Sequence, residues 1–265
     1  METIVATPIA LSIADGVATI RFRRPEVLNA IDVPTAIALR NAVHAATRDT
    51  AVRVIVLSGE GRSFVAGGDL AYFRDAGENA PQAAAELITP MHEAVEALAA
   101  ASQPVLASLH GAVAGAGMSL AMAADLAIAA DNTVFNLAYA KVGATPDCSA
   151  SWTLPRLVGL RAAMEIALLA DSFSAPEALR LGLVNRVVPL DQLEIETAKL
   201  AHRIAGAAPL ALAGIKRLLR DGLDRSLSEQ LEAERAAFVA GAATQDFHEA
   251  LSAFFSKRKP VFQGR

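Results

Sequence analysis

Two glycine-bearing junctions hold the residue types from which an anion site can be built: Ser63-Phe64-Val65-Ala66-Gly67-Gly68-Asp69-Leu70 and His110-Gly111-Ala112-Val113-Ala114-Gly115-Ala116-Gly117-Met118-Ser119. Each follows a strand-like run and precedes a helix-like one. The first backbone N–H groups of such a helix lack intrahelical partners and point outward in an electropositive field. Neither junction has the Lys and Ser/Thr of a P-loop, and the second reads G-x-x-x-G-x-G instead of G-x-G-x-x-G. Nucleotide phosphate is therefore a poor fit. The remaining chemical use is an oxyanion hole, in which two peptide N–H groups from separate segments converge on an oxygen that gains charge during reaction. The same residues also read as tight turns, with Asp69 as a helix N-cap.

A carboxylate stands in a third segment, Val142 to Pro155, where Asp147 follows Pro146 and precedes small residues. By local chemistry alone this is a turn or N-cap aspartate. Cys148 beside it has no His or Lys nearby in sequence to lower its pKa, so it reads as a packing residue. Ser119 is not in a G-x-S-x-G elbow and reads as a small pocket-lining residue. The five histidines, His44, His92, His110, His202 and His248, show no ligand spacing, so no metal is expected.

The elements that must position these groups follow from periodicity. Ile9 to Ile13 and Val17 to Phe22 are β-rich runs around Ala14-Asp15-Gly16, a hairpin signal. Asp32 can cap a helix with Pro34 in its first turn, and Ala36, Leu39, Val43 and Ala46 line one face of it. Val52 to Leu57, Pro104 to Leu109 and Asp125 to Ile128 read as strands buried in a parallel sheet. Ser174-Ala175-Pro176-Glu177 matches a capping box, Gly182 can end that helix, and Leu183 to Val188 is strand-like. Arg74 to Gln82 reads as a mobile loop that could wall a pocket. An α/β core is expected over 1–190. Over 191–265, pairs such as Leu200 and Ile204, Leu212 and Ile215, and Leu251 and Phe254 predict helices alone.

Composition narrows the classes. The chain has 265 residues, 24 Lys plus Arg against 28 Asp plus Glu, and a formal charge of -4, which gives no broad cationic field for nucleic acid. Apolar residues make up 53%, enough for a sizeable core. The single cysteine and the absence of a basic run before the N-terminal apolar residues suggest a cytoplasmic protein. Pro104 to Ala124 lacks Asp, Glu, Lys and Arg, yet it contains His110 and three glycines and has no flanking cations, so a buried core segment is expected there and not a membrane span.

Taken together, F-x-A-G-x-D-L at Phe64 to Leu70, H-G-x-x-x-G-x-G at His110 to Gly117 and the opening Arg24-Pro25-Glu26-Val27-Leu28-Asn29-Ala30 resemble the crotonase superfamily, the enoyl-CoA hydratase/isomerase family. The resemblance continues through Glu177-Ala178 and Gly182 to Pro189 and ends in Lys257-Arg258-Lys259-Pro260-Val261-Phe262. It implies a spiral of ββα units, a C-terminal helical region that makes trimers, often paired into hexamers, and a coenzyme A thioester as substrate with no separate cofactor.

By matching positions, the resemblance implies backbone donors at Gly68 and Ala116. It places the thioester against Arg24, Val27, Leu28 and Ala30 of the opening motif, and Ala66, Gly67, Asp69 and Leu70 of the first junction. Ser119, Tyr139, Pro146 and Lys257 complete the implied contacts, and Arg23, Arg258 and Lys259 are further candidates for the coenzyme's phosphates. Hydratases of this family carry two glutamates where this chain has Ser119 and Tyr139. The segment around Asp147 is similar to the loop where the family's isomerases place a single acid, above all in the phenylacetate-pathway isomerase subgroup. The implied activity is an acyl-CoA double-bond isomerase with Asp147 as proton shuttle. The alternatives are an enoyl-CoA hydratase and a non-catalytic thioester-binding or assembly protein.

Overall fold

The computed structural model describes residues 7–265. β1 (Ile9–Ala14) and β2 (Val17–Phe22) form an antiparallel hairpin in which Ala14 pairs with Val17. Asp15 and Gly16 turn it with φ of 50° and 77°, both left-handed, as the right-handed twist of the strands requires of a two-residue loop. Asp32 caps α1 (Val33–Arg48), accepting the Thr35 N–H at 2.9 Å. Ala36, Leu39, Val43 and Ala46 are fully buried against the sheet and the helix α3 described below.

β3 (Val54–Gly59) leads through the first junction to α2 (Leu70–Ala76) and α3 (Ala80–Ala100). Two strand pairs then follow, each continued by a helix. They are β4 (Val105–Leu109), β5 (Ala112–Ala114) and α4 (Ala116–Ala123), then β6 (Leu126–Ala130), β7 (Val134–Asn136) and, after a 3-10 turn at Ala138–Val142, α5 (Ala150–Val158). The chain continues through α6 (Leu160–Leu169), β8 (Phe173–Ser174), α7 (Ala175–Arg180), β9 (Arg186–Val188), α8 (Leu193–Ala205), α9 (Pro209–Asp221), α10 (Leu227–Ala242) and α11 (Gln245–Phe255). The main sheet has the order β1-β2-β3-β4-β6-β9, parallel from β2 onward, and a second sheet has the order β5-β7-β8. The β4–β5 and β6–β7 turns each add one strand to both sheets before the chain continues into a helix. This is the expected α/β spiral of ββα units.

α1 and α3 cover one face of the main sheet. On the other, Leu193, Ala201 and Ala205 of α8 pack on Val54, Val56, Leu106 and Ile128. The division expected at residue 190 therefore falls just before a helix that seals the core. α9 is fastened by charge: the nearly buried Lys216 ammonium donates to the Leu98 and Gln103 carbonyls at 2.9 and 3.1 Å and pairs with Asp125 at 2.9 Å. Arg220 pairs with the same carboxylate at 2.7 Å.

Three local expectations are corrected. Ser174 makes no side-chain cap, and the reciprocal half of the box is also missing, because the Glu177 carboxylate is taken by the Arg180 guanidinium at 2.5 and 2.7 Å, a charge-assisted pair. The capping box of this chain lies instead at Ser226 and Glu229, where Glu229 accepts the Ser226 N–H at 2.8 Å. Residues 74–82 are not a loop: α2 runs to Ala76, one 3-10 turn spans Gly77–Asn79, and α3 begins at Ala80. The alanine-rich run and the Asp69 cap favour helix on both sides of Gly77. Of Leu183 to Val188, only Arg186–Val188 is strand; Leu183 and Val184 are buried in the turn before it.

Candidate active site

Asn29 builds the first junction from beneath. Its buried amide donates to the Glu60 and Ser63 carbonyls at 2.9 and 2.8 Å and accepts the Arg24 N–H at 2.8 Å. The Gly67 carbonyl accepts from Ile31 N–H, and Asp69 N–H donates to the Ile31 carbonyl, both at 2.8 Å. Gly68, between them, is bridged to Ile31 as in a parallel ladder. Because bonding alternates along such a strand, the Gly68 N–H faces the opposite side.

On that opposite side runs the second junction. Phe64 N–H donates to the His110 carbonyl at 2.8 Å, Ala114 N–H donates to the Val65 carbonyl at 3.0 Å, and Val65 and Val113 form a bridge. The approach is so close that a Cβ on Gly117 would lie 2.1 Å from the Val65 carbonyl oxygen, so only glycine fits there. A Cβ on Gly115 would lie 3.5 Å from the Gly67 Cα, so the two segments are in contact at the residues that immediately precede Ala116 and Gly68. Ala116 opens α4, so its N–H has no partner within the helix. Among the described residues, neither the Gly68 nor the Ala116 N–H donates to any protein group.

Asp147 lies in the segment between the 3-10 turn and α5. Tyr139 hydroxyl donates to its Oδ1 in a short hydrogen bond, and the Ser119 hydroxyl lies 3.0 Å from the Tyr139 oxygen. Ser119 is fully buried one turn into α4, so three hydroxyl and carboxyl groups link the Asp147 segment to the helix that Ala116 begins. Just after Asp147, Cys148 and Ser149 both have positive φ, 49° and 67°, a conformation that side chains with a Cβ adopt at a cost of about 1–3 kcal/mol each. This arrangement is stabilised by His92 of α3, whose Nε2 accepts the Cys148 N–H at 3.3 Å, and by Ala150 N–H, which donates to the Asp147 carbonyl at 3.0 Å.

The electrostatics separate the roles. Burial first, then the adjacent Asp147 charge and its hydrogen bond, push the Tyr139 phenol far above its ordinary value of 10.0, so it keeps its proton and acts as a donor. Burial and Asp147 likewise push the Cys148 thiol up, which makes a nucleophilic thiolate unfavourable. His110 is held below its ordinary 6.5 by burial, and its ring bonds the Gly61 carbonyl at 2.9 Å, tying the second junction to the turn that precedes the first.

Arg24 does not present a free charge: its guanidinium holds the Ala30 carbonyl at 2.6 Å and pairs with Asp32 and Asp69 at 3.1 and 3.2 Å. It braces the first junction. Arg23 pairs with Glu60 and Arg258 with Glu249. Lys257 is exposed just beyond α11. Ala66 and Pro146 are half-buried, Leu28 is half-buried with its carbonyl accepting the Ala66 N–H at 3.1 Å, and Val27 and Leu70 expose apolar side chains. A separate cavity of about 490 Å³ lies between β2, β3 and α8, lined by residues such as Thr19, Ser58, Thr197 and His202, and it includes none of Gly68, Ala116 and Asp147. No helix among the described residues is long and apolar enough to cross a membrane.

No local pattern marks His92, whose contact depends on a fold-level approach of α3 to residue 148, or the paired left-handed residues, which glycine would have marked. Unbonded amides, a reached carboxylate and a bracing arginine can stabilise and protonate an enolate next to a carbonyl.

Comparison with known proteins identifies the family. The model of the enoyl-CoA hydratase/isomerase family matches residues 12–265. A probable enoyl-CoA hydratase of Rhodobacter capsulatus is 37% identical over 257 residues, covering 97% of this chain and 98% of that protein. The 1,2-epoxyphenylacetyl-CoA isomerase of Escherichia coli is 34% identical over 251 residues, covering 94% and 96%. The crystal structure of an enoyl-CoA hydratase from Polaromonas superposes with a TM-score of 0.92 at 34% identity, covering 96% of this chain and 99% of that one. The chain belongs to the enoyl-CoA hydratase/isomerase family, whose members act on acyl-CoA thioesters.

Proposed function

We propose that the protein is an acyl-CoA double-bond isomerase that converts a 3-enoyl thioester to its 2-enoyl isomer, with coenzyme A as part of the substrate and no separate cofactor. The thioester oxygen sits between the Gly68 and Ala116 N–H groups. Asp147 removes a proton from C2, the dienolate charge rests on that oxygen, and the same carboxyl group returns the proton at C4. Each amide of such a hole contributes about 2.7–4 kcal/mol, and a positioned base about 10²- to 10⁴-fold.

The observation that carries this reading is that the Asp147 carboxylate accepts a hydrogen bond from Tyr139, which is itself bonded to Ser119; these are the two positions at which the resembling hydratases carry glutamates. One acid is enough to shuttle a proton. Val27, Leu28, Ala30, Ala66, Leu70 and Pro146 form the thioester's surroundings, Gly67 and Asp69 shape the turn that presents Gly68, and Lys257, with Lys259, is left for the coenzyme's phosphates. The exposed apolar side chains of the last helices, among them Leu227, Phe254 and Phe255, 76%, 77% and 79% accessible, support burial in a homotrimer or hexamer. The single cysteine is compatible with a cytoplasmic location.

A second reading, an enoyl-CoA hydratase, is favoured by the name of the Rhodobacter relative. Incubating 3-enoyl- and 2-enoyl-CoA in deuterated water with wild type and Asp147→Asn separates the readings. Isomerisation with label entering at C2 and C4, lost by at least about 10²-fold in the variant, supports the proposal. A 3-hydroxyacyl product as the main outcome supports the hydratase, and saturable thioester binding without exchange supports a silent binding protein.

A further inference from the structure

Ser119, Tyr139 and Asp147 form a chain whose protons can be counted. Each hydroxyl has one proton. Tyr139 gives its proton to Asp147 Oδ1, so the 3.0 Å contact between Tyr139 and Ser119 is filled by the Ser119 proton. Among the described residues that proton has one other acceptor in reach, the Gly115 carbonyl at 3.2 Å, which already accepts the Ser119 N–H at 3.0 Å. Gly115 C=O and Ala116 N–H are the two ends of one peptide group. A hydrogen bond onto that carbonyl polarises the peptide and makes the N–H a stronger donor.

Resting on the isomerase reading above, we propose that Ser119 and Tyr139 are positioning residues. They hold Asp147 by Oδ1, leave Oδ2 as the oxygen that takes and returns the substrate proton, and tie this base to the peptide bearing the Ala116 donor. In the first step the C2–H bond breaks, its electron pair enters the dienolate, and Oδ2–H forms. In the second, Oδ2–H breaks and C4–H forms. Tyr139 and Ser119 keep their own protons throughout, and the burial that raises the phenol's pKa keeps that proton in place.

Between the two steps Asp147 is neutral, so Oδ1 is a weaker acceptor and the pull along the chain slackens. The Ser119 hydroxyl then turns toward the Gly115 carbonyl, strengthening the Ala116 N–H while the oxyanion beside it carries its charge. Ser119 thus couples the state of the base to the strength of the hole. Burial makes this coupling effective, because the bonds act where water does not compete.

The test is a double-mutant cycle of Tyr139→Phe and Ser119→Ala, with Asp147→Asn as reference, on 3-hexenoyl-CoA in deuterated water. Both single variants delete one buried oxygen and keep the shape, and thermal melts check their folding. Tyr139→Phe is expected to lower kcat roughly 10- to 100-fold, as for a base misplaced by about an ångström, with KM within about two-fold. Ser119→Ala is expected to lower kcat less, and to cost less in the Tyr139→Phe background than in wild type, since its effect on the base runs through the phenol while its bond to the Gly115 carbonyl does not. Restoring the hydroxyl as Ser119→Thr recovers part of the loss.

Wild-type kcat in Tyr139→Phe, an effect on KM alone, or additive losses in the double variant would overturn the proposal while leaving an inactive Asp147→Asn, and hence the isomerase reading, intact. An Asp147→Asn enzyme with undiminished exchange would overturn that reading itself, and the positioning roles with it.

Discussion

The Val65 carbonyl oxygen and the Cα of Gly117 are packed so closely that a Cβ at residue 117 would fall 2.1 Å from that oxygen. The contact clamps the two junctions that carry the Gly68 and Ala116 amides. Gly117→Ala forces the backbones apart and is expected to cost at least about 1–3 kcal/mol. Urea denaturation measures this as a lower midpoint at unchanged slope, together with a loss of kcat in whatever fraction remains folded.

At Gly68 the space is less restricted, because a Cβ there meets only the Phe73 ring, at 3.4 Å. Gly68→Val is therefore expected to fold and to lower kcat/KM by about 10²-fold or more, the scale of one lost hole donor. Thermal melts close to wild type alongside the kinetic loss distinguish this from Gly117→Ala.

Tyr139 gives the protein an alkaline limb. Its folded pKa lies above the ordinary 10.0, so the associated stability is complete below pH 10 and is lost as pH rises beyond it, at up to about 1.4 kcal/mol per pH unit. Denaturation midpoints measured above pH 10 are expected to fall more steeply in wild type than in Tyr139→Phe.

His110 acts at the acid end with the opposite sign. Burial holds its folded pKa below 6.5, so the unfolded chain binds the proton first and stability falls as pH drops below 6.5. His110→Gln removes this term, and its denaturation midpoint should be flatter between pH 6.5 and 5 than that of wild type.

The ion cluster that fastens α9 supplies a structural prediction. Lys216→Met leaves the Leu98 and Gln103 carbonyls without their donor, while Asp125 keeps Arg220. The expected cost is about 1–3 kcal/mol by chemical denaturation, smaller than for a buried pair left with no partner.

The hairpin turn at Asp15-Gly16, the α1 face from Ala36 to Ala46 and the strands at 54–59 and 105–109 were legible because turn chemistry and apolar spacing are local. So were the glycine junctions, since Gly115 and Gly117 mark backbone that cannot carry a side chain there. What the sequence concealed is set by partners distant along the chain. The Ser174 box lost its glutamate to Arg180, Arg24 turned out to brace Asp32 and Asp69, and the segment at 74–82 remained helical through its alanines. The Ser119–Tyr139–Asp147 chain spans 28 residues and leaves no periodic trace. The buried Lys216 is visible only once α9 lies on the core, because an isolated lysine reads as solvated.

In the proposed mechanism two main-chain amides and one carboxyl group share a thioester. A crystal structure of Asp147→Asn with a bound 2-enoyl-CoA tests it most directly. The thioester oxygen is expected within about 2.7–3.1 Å of both the Gly68 and Ala116 nitrogens, with the side chain of residue 147 beside C2 and C4. A thioester oxygen directed away from either amide, or residue 147 turned out of the acyl pocket, would contradict it.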